Sequence, residues 1–270
     1  MLSLTLIAVL LACGVVAGFL AGLLGVGGGL VIVPVVVGVL EAAGLGGNYV
    51  QHLAVGTSLA VMVFTSVASV RAHHKKGAVN WAIVRGMAPA MMVGTFVGSL
   101  LAGWIPSNGL RWFFVIYAYV IGAQMFFGAA PAASRDMPGF AGQSAAGGVI
   151  GMVSSWVGIG GGSMSVPFMG WCNVRMHTAI ATSAALGWPI AVSGALGYVA
   201  AGWQTPGLPW GAFGFIYLPA MLALMLMTVL CAPLGARAAH ALPVAKLKKG
   251  FALLMVVMAS EMLLGLLRQG

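Results

Sequence analysis

The chain has 270 residues, of which 61% are hydrophobic and 6% charged, and its mean hydropathy is +1.07; soluble domains carry roughly 45 to 50% apolar and about 25% charged residues. That excludes a water-soluble enzyme and leaves room, at about 20 residues per bilayer-spanning helix, for around ten membrane segments with short connections. The formal charge of +9, from 12 Lys and Arg against 3 Asp and Glu, then reads as the positive-inside bias of a membrane protein and not as a nucleic-acid surface.

From the N-terminus, the first apolar segment covers residues 3–24. Its Leu10-Leu11-Ala12-Cys13 stretch is shaped like a lipoprotein cleavage box, but no Lys or Arg precedes it, so it reads as the first membrane helix. The sequence GVGGGLVIVP, Gly25 to Pro34, leads into a short second segment at 30–43. A third segment at 51–72 begins with HLAVGTSLA, His52 to Ala60, and further segments follow at 81–103 and 109–129.

The second half repeats this order. Its segments lie near 141–157, 163–172, 177–200, 211–235 and 247–267. GIGGGSMSVP, Gly158 to Pro167, answers the first glycine run, and HTAIATSAA, His177 to Ala185, answers the stretch after His52. Pro89-Ala90-Met91 matches Pro219-Ala220-Met221, and a G-x3-A-x3-P-x3-L pattern starts at both Gly98 and Gly235. Gln124-Met125-x-x-Gly128 matches Glu261-Met262-x-x-Gly265. Offsets of 125 to 137 residues mark a duplication: one repeat over 1–130, a connection over 131–140, and a second repeat over 141–270, in a single transmembrane unit.

The expected fold class is an all-α integral membrane protein of two inverted-topology repeats with about five apolar segments each. The second segment of each repeat is too short to span comfortably and follows consecutive glycines, which predicts half-helices or re-entrant pieces near the midplane. An odd number of crossings per repeat, five or three, turns the second copy upside down. With both termini outside, Arg71, Lys75, Lys76, Arg85, Arg135, Arg175, Arg237, Lys246, Lys248 and Lys249 are cytoplasmic. Only Arg111 and Arg268 are then external, as the positive-inside bias requires.

Irregular backbone survives in hydrocarbon only where it is buried or lines a cavity, and paired breaks in inverted repeats are the pattern of secondary transporters. Consecutive glycines uncover backbone N–H groups, and a helix starting at Leu30 or Ser163 aims the positive end of its dipole at the break, which suits an anion. The candidate binding residues are therefore Gly27, Gly28 and Gly29 with Gly160, Gly161 and Gly162; close helix packing is the structural alternative. His52, Thr57 and Ser58, with His177, Thr182 and Ser183, add donors that replace the water an oxyanion loses. Interhelical bonding, for the hydroxyls, and interfacial capping, for the histidines, are their structural alternatives.

Of the acids, Asp136 sits beside Arg135 in the connection and Glu41 ends a half-helix. Glu261 lies about 14 residues into the last helix, roughly 21 Å along, and its repeat partner is the neutral Gln124, which fits either a site for a coupling proton or a simple helix-contact position; sodium is the other candidate coupling ion. No cofactor or metal is expected. Cys13, Cys172 and Cys231 lie in apolar stretches without ligand spacing, the 17 Met and 8 Trp are scattered, and His73-His74-Lys75-Lys76 reads as a topology determinant.

The paired G-[VI]-G-G-G-x3-V-P elements and the H-x-A-x-x-T-S stretches after them resemble the sulfite exporter TauE/SafE family of membrane permeases, across both halves of the chain. The resemblance implies a permease for a small anion, such as sulfite, a sulfonate or sulfoacetate, in the bacterial inner membrane. Alternating access about the two breaks is the expected mechanism. An anion channel or facilitator, and a membrane scaffold or assembly protein, are the competing readings.

Overall fold

A computed structural model describes residues 3–25, 27–128, 135–241 and 244–269. Lys246, Lys248, Lys249 and Arg268 are described as backbone only. The first half contains α1 (Leu4–Leu24), α2 (Gly29–Ala42), α3 (Val50–His74), α4 (Trp81–Ala102) and α5 (Ser107–Phe127). The second contains α6 (Phe140–Val157), α7 (Gly162–Trp171), α8 (Met176–Gly202), α9 (Leu218–Ala241) and α10 (Val244–Gln269). The protein is an all-α membrane protein: among the described residues, six helices are long and apolar enough to cross a bilayer.

Local chemistry sets the ends of these helices. The Ser3 hydroxyl accepts from Leu6 N at the start of α1, and the Asn80 side chain accepts from Ala82 N and Ile83 N at the start of α4. Gly25 and Gly158 stop α1 and α6 in left-handed backbone, which costs glycine no Cβ clash. α2 has 14 residues and α7 has 10. At 1.5 Å per residue these reach about 21 Å and about 15 Å, short of a hydrocarbon core about 30 Å thick.

The expected ninth segment at 211–235 is displaced. Residues 212–217 form a hairpin, β1 (Ala212–Phe213) paired antiparallel with β2 (Ile216–Tyr217), and α9 starts only at Leu218. Gly211 and Gly214 take φ of 85° and 56°, which turns the chain, and Phe215, Ile216 and Tyr217 are buried against the bundle. The apolarity of this stretch comes from core packing, a signal that hydropathy cannot separate from a membrane helix.

Helices pack through small residues, which let backbones approach in the absence of a hydrophobic force between helices. α1 lies parallel to α9, with Gly18 against Thr228 and Gly22 against Ala232; α4 lies parallel to α6, with Gly94 against Gly148 and Gly98 against Ser155. Exchanging the halves maps the first pair onto the second, and likewise maps α3 with α9 onto α8 with α4. α3 and α8, the most buried of the spanning helices, run antiparallel through the centre, with Gly56 against Tyr198 and Leu59 against Gly194. On the outside of α9, Leu222, Leu226, Leu230 and Leu234 are exposed at four-residue spacing, an apolar stripe suited to lipid.

A Cβ on Gly235 of α9 would lie 1.9 Å from the Phe19 carbonyl oxygen of α1, whereas one on Gly170 of α7 would meet nothing within 4 Å. Overpacking of this kind costs about 1–3 kcal/mol. Gly235→Ala should therefore lower the thermal unfolding midpoint of the detergent-solubilised protein, and Gly170→Ala should leave it in place. Equal midpoints would contradict the α1–α9 contact.

Candidate functional site

The two glycine breaks meet. Gly25, Gly27 and Gly28 have φ of 67°, 81° and 79°, and Gly158 and Gly161 have 79° and 71°, all in backbone that side chains rarely adopt. A Cβ on Gly27 would come within 3.2 Å of Gly160 N, and one on Gly29 within 1.9 Å of the Gly158 oxygen. Packing therefore demands glycine at this junction as much as conformation does. Gly28 and Gly161 are the N-caps of α2 and α7, and neither helix has a side-chain cap. Two helix N-termini, one from each half, thus begin at the junction, and each carries partial positive charge.

The Thr-Ser pairs tie the halves together. Ser58 donates to the Gly158 carbonyl at 2.8 Å, and Ser183 donates to the Gly25 carbonyl at 2.9 Å. Each hydroxyl thereby reaches the glycine that ends the first helix of the opposite half. Thr57 accepts from Tyr217 N at 2.9 Å, and Thr182 accepts from Asn80 N at 3.0 Å; Tyr217 and Asn80 immediately precede α9 and α4. All four hydroxyl side chains are fully buried. The serine protons are committed to these bonds, while the threonines engage through oxygen.

A further symmetric pair escaped sequence matching because its residues differ. His73 Nε2 lies 3.0 Å from the Gly22 carbonyl, and the Tyr198 hydroxyl donates to the Ser155 carbonyl at 3.0 Å. The same offsets, 125 and 133 residues, relate these partners as relate the motifs; position alone could have revealed them. His73, read from sequence as part of a charged topology determinant, is buried against the end of α1.

The two motif histidines part company, and neither is at the glycine junction. His52 is buried, its Nε2 3.0 Å from the Ala102 carbonyl and 3.1 Å from that of Ile105, with its ring against Tyr49 and Phe215. His177 is exposed near the start of α8. His52 lines a vestibule of about 890 Å³ together with Glu41, Asn48, Tyr49, Ser107, Asn108 and Arg111. This vestibule opens at the N-terminal end of α3, the end opposite Lys75 and Lys76.

Arg111, expected in the loop between the fourth and fifth segments, sits in the second turn of α5, almost wholly buried in an ion pair with Glu41 at the end of α2. Nothing in the sequence joins residues 70 positions apart on different helices. Glu261 is on α10, away from the glycine junction, and lines cavities beside α2.

The profile of the family described as sulfite exporter TauE/SafE matches residues 10–262. The chain belongs to this family. It is 37% identical over 261 residues to a "probable membrane transporter protein" of Haemophilus influenzae, an alignment covering 96% of this chain and 99% of the relative. A protein of the same description from Methanocaldococcus jannaschii is 25% identical over 86% of each chain. YunE of Bacillus subtilis, also named a probable membrane transporter protein, is 29% identical over 60% of this chain and 66% of its own. No solved structure matches. Family membership and the six spanning helices make the protein a multi-pass membrane transporter.

The threonine bonds give a direct test of the ties between halves. Thr57→Val leaves the amide of Tyr217 without its acceptor inside the bundle, a loss of about 1–3 kcal/mol. The unfolding midpoint should fall in Thr57→Val and in Thr182→Val and stay near wild type in Thr57→Ser. A Thr57→Val protein as stable as Thr57→Ser would show that the bond contributes nothing.

Proposed function

We propose that the protein is a carrier that moves a small anion, a sulfur oxyanion or organosulfonate such as sulfite or sulfoacetate, across the bacterial inner membrane by alternating access. The observation that carries this reading is the meeting of two helix N-termini without side-chain caps, one from each half, at the glycine junction. Inverted repeats are supported by the antiparallel packing of α3 on α8 and by helix pairings that survive exchange of the halves.

In this reading the amides around Gly27, Gly28 and Gly29 and around Gly160, Gly161 and Gly162 receive the anion. Thr57 and Thr182 donate their remaining O–H protons. An oxyanion accepting from Ser58 or Ser183 takes that proton from the carbonyl of the opposite half, so binding loosens a tie between the halves and favours their rocking. His52 meets the solute at the vestibule and His177 at the opposite mouth. Burying an oxyanion without such donors costs several kcal/mol for each lost hydrogen bond, which favours a site where N–H and O–H groups collect. With the basic loops on the cytoplasmic side, Lys75, Lys76 and Arg237 raise the local anion concentration at the inner mouth.

Purified protein in proteoliposomes tests the carrier mechanism with radiolabelled sulfite. Preloading with unlabelled sulfite should accelerate entry of label several-fold. Rapid flux without that stimulation would indicate a channel or facilitator instead, and absence of flux for sulfite, sulfate, thiosulfate, taurine and sulfoacetate alike would sink the anion reading.

A further inference from the structure

The vestibule holds a buried arginine whose partner is within reach of water. The side chain of Arg111 is 5% exposed and that of Glu41, its ion-pair partner, is 35% exposed. Both line the vestibule of about 890 Å³, together with Asn48, Ser107 and Asn108. The carboxylate is therefore the member of the pair that can turn into solvent, while the guanidinium stays in the wall.

The helix ends act against this pair. Glu41 lies in the last turn of α2, whose negative end disfavours a carboxylate, and Arg111 lies near the start of α5, whose positive end disfavours a cation. α5 begins after Pro106 without a side-chain cap, and Pro106, Ser107 and Asn108 face the vestibule with Arg111. The guanidinium and the start of α5 thus put positive charge on one wall, and Glu41 meets it from the unfavourable end of its own helix. A carboxylate is itself a small oxyanion, and guanidinium holds such groups through a planar fork of donors. Tethering gives Glu41 a high effective concentration at Arg111. An oxyanion from solution competes for the same donors without the penalty of the α2 terminus.

His52, in the same wall, has its Nε2 at two carbonyls, those of Ala102 and Ile105, which can only accept; that nitrogen carries the hydrogen, and Nδ1 presents a lone pair. Nδ1 is buried and has no hydrogen-bond partner among the described residues. It suits the O–H of a water or of a hydrogen-bearing anion. The duplication, meanwhile, shares the cation and not the acid. The offset that pairs Leu110 with Leu247 pairs Arg111 with Lys248, and the offset of the glycine runs pairs Glu41 with Val174. A carboxylate at this place is peculiar to the first half.

We propose that Arg111 and the start of α5 form a binding site for a small oxyanion in the vestibule, and that the Glu41 carboxylate is its built-in competitor, leaving Arg111 when the solute arrives. No covalent bond changes: one oxyanion replaces another on the guanidinium, and Glu41 turns into the water of the vestibule. Arg111 stays paired throughout, which matters because a buried charge stripped of its partner is costly. Lys75 and Lys76 lie at the opposite end of α3, so at this mouth Arg111 is the residue that captures the anion. The natural ligand rests on the anion-carrier reading; occupancy of the site is measured without transport.

The first test labels the wild-type protein in lipid nanodiscs with a water-soluble carbodiimide and an amine, with methanesulfonate as the probe because it does not react with the reagent. Mass spectrometry then compares labelling of Glu41 with that of Asp136, an exposed carboxylate in the connection. Methanesulfonate should raise the Glu41 to Asp136 ratio several-fold, and chloride at equal ionic strength should not. A ratio that stays level or falls overturns the exchange. An equal rise with chloride is screening by salt and overturns the oxyanion site.

The second test is calorimetric titration of the purified protein with methanesulfonate. A site open in about a tenth of the molecules binds about tenfold more weakly than the same site left open, so Glu41→Gln should bind about tenfold more tightly than wild type. Glu41→Gln/Arg111→Gln, neutral at both positions, should lose that gain and bind more weakly than wild type. Equal or weaker binding by Glu41→Gln overturns the competitor, and a double variant as tight as Glu41→Gln places the anion elsewhere and overturns the site. If Glu41→Gln is too unstable to titrate, labelling of the wild type decides. The carrier reading is judged separately by sulfite counterflow. Methanesulfonate-dependent labelling in a protein without counterflow keeps the site and removes the carrier. Counterflow with an unchanged KM in the double variant keeps the carrier and removes the site.

Discussion

Two broken chains in the middle of a membrane protein have to satisfy each other. A helix that stops inside hydrocarbon leaves carbonyls that water cannot reach, and each such group costs several kcal/mol if it stays unpaired. α1 and α6 end at Gly25 and Gly158, both buried in the bundle, and the carbonyl of each accepts from a serine of the other half. The threonine beside each serine does the same for the amide that precedes α9 or α4. Neither half has its backbone satisfied alone. From this constraint follow the close approach of the glycines, the full burial of four hydroxyl side chains, and the central place of α3 and α8, which carry them.

Repetition in the sequence made much of this legible. Five segments per half, the short second segments and the glycine breaks all correspond to helices or turns in the fold. The roles within the motifs were less accessible, because Thr57, Ser58, Thr182 and Ser183 as donors to a solute and as ties between halves leave the same trace in a sequence. Matching by identity also missed His73 and Tyr198, since a hydrogen bond to a carbonyl needs only a donor at the right place, and imidazole and phenol both supply one. Hydropathy misplaced the ninth segment for a related reason: a hairpin buried in the bundle and a helix facing lipid are equally apolar. The Glu41–Arg111 pair depends on how α2 and α5 come together, and no local pattern encodes that.

The matched stretches of the two halves share geometry more faithfully than chemistry. His52 and His177 occupy equivalent positions, yet one is packed against Tyr49 and Phe215 and the other is exposed. The acids divide in the same way, with Glu41 and Glu261 in one cluster and Val174 and Gln124 at the corresponding places. Backbone constraints at the junction act on both copies equally and keep them alike. In the inverted-repeat reading proposed above, groups at the two mouths face different compartments and have no such reason to match.

The kind of bond at the junction bears on whether the halves can move. A buried ion pair across the interface would be hard to open, because breaking it leaves an uncompensated charge that costs about 3–5 kcal/mol. Neutral hydrogen bonds contribute about 0.5–1.5 kcal/mol each, so the four junction bonds amount to about 2–6 kcal/mol, beside the packing of α1 on α9 and of α4 on α6 that also joins the halves. Moving a two-state equilibrium from 1:99 to 99:1 takes about 5.5 kcal/mol of differential binding. In the reading proposed above, an oxyanion that replaces Gly25 or Gly158 as acceptor exchanges one neutral hydrogen bond for another at the junction. Among the described residues, the Glu41–Arg111 ion pair lies within the first half, off the junction, where it leaves that exchange free.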